Sequence, residues 1–280
     1  MILSKPIYYD KYEEHSLKFN KYLFADSHGE KLLNHTQKID IYNFSMPSDS
    51  YLDMKRKLLF LIRNDVHIDT IFLTVGDHTL SSYREASSNA DRSNYFLTSD
   101  DYYNTLTYLK DNLIPYYLPF FSPNLRTIIQ HNFRNKIRDI FITTLSDSLQ
   151  NKEWENLSQD KQSKLAKERA NKQFGNSQNS KILTAHLLDI INISKNNGID
   201  IIGLKFPLTA VYQEAFIGKG YKADSILINS GYPVLDFTDD LSDSQNFEDQ
   251  DHLTYEGGKK FVGILKERLV RMDQFTNHKE

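Results

Sequence analysis

Three short clusters carry side chains able to do chemistry, and each holds a histidine. They are Asp26-Ser27-His28-Gly29, Gly76-Asp77-His78, and the run FEDQDHLTYEGG with Asp249, Asp251 and His252. A serine hydroxyl is a poor nucleophile until a base removes its proton, and the base needs a third group to orient it. Asp249 and His252 are three residues apart, which brings both side chains to one side of a turn. Asp249 can then hold the imidazole while His252 faces Ser27. Asp251, adjacent to His252, points elsewhere in a helical turn and is the weaker candidate. Ser27 at the start of a helix also places its own backbone N–H where an oxyanion could form. The rival chemistry is a divalent-metal site built on Asp26 and His28.

These clusters need elements that hold them in place, and the hydrophobic pattern supplies an alternation of strands and helices. KYLFAD (21–26) reads as a buried strand that runs straight into Ser27, and 27–38 as a helix begun there. KIDIYNF (38–44) alternates in the strand manner, and 49–65 has apolar residues at helical spacing. DTIFLTV (69–75) is a β-branched strand leading to Gly76-Asp77-His78. A helix over 181–198 places Leu183, Leu187, Ile190 and Ile191 on one face and ends at Gly198. Strands follow at 199–206 and 232–238, then an amphipathic helix over 257–272 with Phe261, Ile264, Leu265 and Leu269 in a stripe. Such alternation predicts a mainly parallel sheet covered on both faces, with sites at the carboxyl ends of its strands. The middle, about 80–182, breaks the rhythm and reads as a largely helical insertion in a single domain spanning 1–280. Within it 100–113 looks helical. Residues 149–180 are polar and read as a solvated helix and loop with little to bury.

The composition narrows the function classes. The chain of 280 residues is 39% hydrophobic and 25% charged, with a net charge of −3, which argues against a general nucleic-acid binder. It has no cysteine, so disulfides, thiolate zinc sites and a cysteine nucleophile are excluded. The absence of cysteine fits a cytoplasmic protein, and the first twenty residues carry no long apolar run of the secretory kind. The run LLFLI (58–62) is far too short to span a bilayer. No cofactor is implied, and oligomeric state is not legible.

FADSHGEKL resembles the first block of the SGNH (GDSL-like) hydrolases, and FEDQDHLTYEGGKKFVGIL resembles their last block, Asp-x-x-His followed by a glycine-bearing helix. YNFSMPSDSYLDMKRKL is similar to the region of the second-block glycine. IFLTVGDHTL sits where the family has Gly-x-Asn-Asp. The resemblance covers roughly 20–80 and 183–272. It implies a three-layer α/β/α, flavodoxin-like fold, with Ser27, Asp249 and His252 as a catalytic triad. The family's second-block glycine falls at Ser48, which keeps a backbone N–H, and its third-block asparagine at His78. The resemblance therefore implies an oxyanion hole of Ser27, Ser48 and His78. It also implies hydrolysis or transfer of small acyl groups, such as acetyl on sugars. Ala25 stands where the first block usually has glycine.

Two rival readings remain. Asp26-x-His28 with Gly76-Asp77 resembles the first two motifs of metal-dependent phosphoesterases, but the later Gly-Asn-His and Gly-His-x-His motifs are absent. A non-catalytic binding protein on the same fold is the third reading, since the oxyanion residues are altered. Tyr83 and Arg84 could reach a substrate carboxylate or sugar hydroxyl. His28 reads as a loop contact, while His15, His35, His67, His131, His186 and His278 read as structural or exposed. KFPLTAVYQEAF (205–216) could wall the pocket.

Overall fold

Buried apolar runs with β-branched residues form strands here, and helices with one apolar stripe cover them. A computed structural model describes residues 15–90, 92–112 and 154–277. Residues 1–14, residue 113, residues 149–153, His131 and His278 lie outside the described residues. Two compact units are present, one of Met1–His15 with Asn89–Lys152 and one of Ser16–Ser88 with Glu153–Glu280.

The second unit opens with β1 (Lys21–Phe24), a one-turn helix α1 (Ser27–Glu30), β2 (Tyr42–Asn43), α2 (Tyr51–Arg63), β3 (Thr70–Thr74) and the short α3 (Tyr83–Ala86). In the first unit, helix α4 covers Thr105–Asn112 within the expected 100–113. The second unit then continues with α5 (Gln159–Ala170), α6 (Lys181–Asn196), β4 (Asp200–Lys205), α7 (Ala210–Phe216), α8 (Ala223–Asn229), β5 (Val234–Asp236) and α9 (Tyr255–Asn277). The five strands pair in the order β2-β1-β3-β4-β5, and every pair is parallel. This is the doubly wound, flavodoxin-like order, an α/β fold with helices on both faces of the sheet.

Leu23, Ala25, Phe72, Leu204 and Leu235 point to one face, where Phe261, Val262 and Leu265 of α9 meet them. The alternate residues Tyr22, Phe24, Ile71, Leu73 and Ile201 are as fully buried on the other face. Helices α2 and α6 pack against each other and bury Leu58 and Leu61 with Leu187 and Ile190. Both have local reasons to start where they do. Ser50 and Asp53 form a capping box on α2, and the Ser180 side chain accepts from the Leu183 N–H at 2.9 Å on α6. Gly198, with φ 66°, ends the α6 region as expected.

The helix expected over 27–38 is instead one turn of α-helix followed by a 3₁₀ stretch at Leu33–Ile39. The carbonyls of Gly29 and Leu33 accept from the Asn43 side chain, at 2.8 and 3.2 Å, and Leu33 takes φ 45°. Close approach explains the break. A Cβ on Gly258 of α9 would lie 2.4 Å from the Lys31 carbonyl oxygen, and one on Gly257 would lie 2.2 Å from that of Asn246. The glycine pair lets α9 begin directly against the backbone on either side of the catalytic candidates.

The polar stretch differs from its expected solvated form. Ala166, Ala170 and Phe174 are buried against Tyr212 and Phe216 of α7. Among the described residues, no helix is long and apolar enough to cross a membrane.

Gly258→Ala should lower stability by about 1–3 kcal/mol through forced backbone displacement. Gly263→Ala, in the same helix with nothing within 4 Å, should raise it by about 0.5–1 kcal/mol. Denaturant melts of the two variants check the pair.

Candidate active site

The site is assembled at the carboxyl ends of β1, β3 and β4. Beyond β1 the chain places Asp26 in the core and Ser27 on the first turn of α1. The other half comes from the loop before α9. There the Glu248 N–H donates to the His252 carbonyl at 2.9 Å and Phe247 bridges Leu253, which pinches residues 248–252 into a tight loop. Lys31 and Glu248 form an ion pair at 2.6 Å that ties this loop to the segment after α1.

His252 Nε2 lies 2.8 Å from Ser27 Oγ, and its Nδ1 lies 3.0 and 2.9 Å from the two Asp249 carboxylate oxygens. The backbone N–H groups of Asp251 and His252 also donate to Asp249 Oδ1, at 3.0 and 2.8 Å. An acceptor with these donors stays ionised. Burial would raise the Asp249 carboxyl, but the His252 N–H and charge with the backbone donors hold it far below the usual range. Burial alone would lower the His252 imidazole. The hydrogen bond to Asp249 and the charges of Asp251 and Asp249 outweigh it and raise the ring above its ordinary value. The arrangement can move a proton from the serine hydroxyl to the imidazole and stabilise the resulting imidazolium.

Beside it lies a second polar cluster around Asp26, which is 1% exposed. One carboxylate oxygen accepts from the His28 backbone N–H at 3.1 Å and from His28 Nδ1 at 2.8 Å. The other accepts from His78 Nε2 at 3.0 Å and lies 3.3 Å from Arg84 Nη2. Burial pushes the Asp26 carboxyl up, but His28, His78 and Arg84 outweigh it and hold it well below the usual carboxylate range. The His28 ring stacks on His252, with centroids 5.0 Å apart. His28 is therefore more than the loop contact expected of it.

Two expected roles are corrected. His78 was expected to donate an N–H to an oxyanion. An ionised carboxylate only accepts, so the His78 proton sits on Nε2, facing Asp26. Burial lowers the ring's pKa and keeps it neutral, which leaves Nδ1 as an acceptor. Arg84 was read as able to reach a substrate carboxylate or sugar hydroxyl. It is buried, and besides Asp26 it donates to the Asp49 carbonyl. Tyr83 is half-buried, with Lys172 Nζ 5.4 Å from its ring centroid. Ser48 stands between β2 and α2 with φ 70°, a conformation that favours glycine.

The pairing behind the metal reading is absent. Asp77 is turned to Lys205 Nζ at 3.1 Å, and Lys205 also approaches Asp224 and Asp236. Among the described residues, three groups of acid and imidazole atoms do lie within 4.8 Å of one another: Asp26–His28–His78, His28–Asp251–His252 and Glu248–Asp249–His252. The nitrogens facing Asp26 and Asp249 are N–H donors with no lone pair for a cation, and Arg84 already supplies positive charge at Asp26. We read the groups at Asp26 and Asp249 as hydrogen-bonded clusters.

Residues of KFPLTAVYQEAF do wall a cavity, of about 20 Å³. Lys205, Phe206, Leu208, Tyr212 and Phe216 line it together with His28 and His78. One further residue, Arg169, was missed by sequence reasoning, and Asp251 was ranked only as the weaker acid. Arg169 donates from Nε to Asp251 Oδ2 at 2.9 Å, and Asp251 is itself buried. The signal was present in the four-residue spacing of Ala166, Ala170 and Phe174, an apolar stripe within a polar run.

No family model and no curated protein matches the chain. Solved structures give two likenesses, each with a TM-score of 0.42 and 8% identity. One is a GDSL-like lipase from Bacteroides thetaiotaomicron, covering 97% of this chain and 98% of that one. The other is a protein described as a "putative acylhydrolase" from Bacteroides fragilis, covering 96% of this chain and 98% of that one. At this identity and score, the reading of the site rests on its own geometry.

Asp26 has a folded pKa below its ordinary 3.8, so its contribution to stability is present above that pH and is lost as pH falls through the folded value. Asp26→Asn should cost about 3–5 kcal/mol at pH 7, because it strands buried Arg84, and should flatten the acid arm of the stability curve. Denaturant melts at pH 7 and pH 3 check both.

Proposed function

We propose that this chain is a serine-dependent ester hydrolase or O-acyltransferase acting on small acyl esters. The observation that carries the reading is the chain of hydrogen bonds from Ser27 Oγ through His252 to Asp249. Ser27 Oγ attacks the ester carbonyl carbon as its proton passes to His252 Nε2. The carbonyl oxygen takes the negative charge and is met by backbone N–H groups, of which those of Ser27 and Ser48 are the candidates. The tetrahedral species collapses, the C–O bond to the leaving alcohol breaks, and His252 returns the proton to that oxygen. Water or an acceptor hydroxyl, deprotonated by His252, then attacks the acyl-enzyme and frees Ser27. Asp249 accepts the Nδ1–H throughout and stays ionised. O-acetyl groups on carbohydrate are the first substrates to try, with Tyr83 as a candidate contact.

A fluorophosphonate probe tests the reading. It should label the wild type and leave Ser27→Ala unlabelled. An unlabelled wild type would support a binding protein on this fold. Ser27→Ala and His252→Ala should each lower ester turnover by about 10⁴–10⁶-fold, with little further loss in the double variant, since the two act as a unit. Activity should survive exhaustive chelation; loss on EDTA treatment with recovery on adding manganese or zinc would move the assignment to the metal-dependent phosphoesterase. His252 must be neutral to accept the serine proton, and its pKa is raised, so kcat/KM should climb with pH through a value above 6.5.

A further inference from the structure

Asp251 was the weaker acid on sequence grounds, yet it lies deeper than Asp249. Its side chain is fully buried, whereas that of Asp249 is 37% exposed. Its Oδ1 accepts from Gln250 Nε2 at 2.9 Å and lies 3.4 Å from His252 Nδ1. Its Oδ2 accepts from Arg169 Nε at 2.9 Å and lies 3.8 Å from His28 Nε2. A carboxylate with no exposure needs a cationic partner. The partner comes from α5, far away in sequence. Arg169 is fixed in turn by Gln173, whose side-chain oxygen accepts from Nε and Nη2 at 3.0 and 3.1 Å and whose nitrogen donates to the Tyr212 hydroxyl. Gln173 is itself buried.

We propose that Asp251 and Arg169 are positioning residues for His252, a carboxylate–guanidinium pair with its carboxylate fully buried, which backs the imidazole edge already held by Asp249. The proposal rests on the reading of His252 as the base. The groups facing His252 are Glu248, Asp249 and Asp251 from its own loop, Ser27 and His28 from α1, and Arg169 from α5. The two partners act on the ring with opposite sign. The Asp251 charge favours the imidazolium, and the Arg169 charge opposes it. Together they hold the imidazole edge against two carboxylates with a guanidinium behind one of them. The polar segment read from the sequence as solvated surface thereby sets the strength of the base.

The test is an NMR titration of the His252 imidazole in the full chain, with thermal stability measured beside it. Asp251→Asn should lower the His252 pKa by about one unit, a tenfold change in proton affinity. Arg169→Gln should raise it, and Arg169→Lys should bring it back toward the wild type. If Asp251→Asn fails to fold because it strips the partly buried Arg169 of its carboxylate, Asp251→Asn/Arg169→Gln removes both charges, and a smaller lowering is expected there. Shifts of the same sign in the two single variants, or none in either, would overturn the proposal, as would an unshifted double variant. The titration needs no turnover. A protein without esterase activity that still shows the opposed shifts would overturn the hydrolase reading and leave this one standing.

Discussion

A buried carboxylate must be satisfied, and at Asp26 that need organises the site. The residue ends the run of β1 into the core, where an isolated charge would be prohibitive. Its oxygens are met by His28, by His78 from the loop after β3 and by Arg84 from α3. Three separate stretches of chain are thus drawn to one point. Arg84 also donates to the Asp49 carbonyl, and Lys57 of α2, fully buried, reaches the Asp49 carboxylate and the Phe44 carbonyl. The loop carrying Ser48 is therefore held to Asp26, the neighbour of Ser27, through charges that cannot be released without leaving a partner unpaired.

The second constraint is the close approach of α9. Packing of Phe261, Val262 and Leu265 against the sheet brings the helix down, and Gly257 and Gly258 let its first turn touch the backbone at Asn246 and Lys31. His252 precedes that turn and Ser27 precedes Lys31, so these backbone contacts set the distance between the His252 ring and the Ser27 hydroxyl. A side chain at either glycine would push the two halves apart, and hydrogen-bond geometry tolerates little such movement.

Around His252 the charges are arranged in opposed pairs. Asp249 and Asp251 favour its protonated form, while burial and Arg169 oppose it. His28 stacks on the ring and carries its own carboxylate, so two Asp–His pairs lie face to face. This layering limits the movement of His252 more firmly than the Asp249 contact alone, since Asp249 is partly open to solvent.

How much of this was legible in the sequence follows from range. The strand–helix alternation, the cap at Ser180, the stop at Gly198 and the i, i+3 pair Asp249–His252 are local, and local spacing fixes them. The short helix at Ser27 was misjudged in length because its end depends on Asn43 and on α9, which are distant in sequence. The family resemblance put His78 in the oxyanion hole, and Arg84 was read as able to reach a substrate. Only the fold reveals Asp26 as the buried acceptor that claims both. Asp251 and Arg169 are 82 residues apart and meet because α5 packs on α7 through a stripe of small and aromatic residues. The sequence by itself determined which elements form and which serine, histidine and aspartate could act together. The tertiary structure alone decided which polar groups lose water, and loss of water is what converts an ordinary aspartate or arginine into a residue that must find a partner.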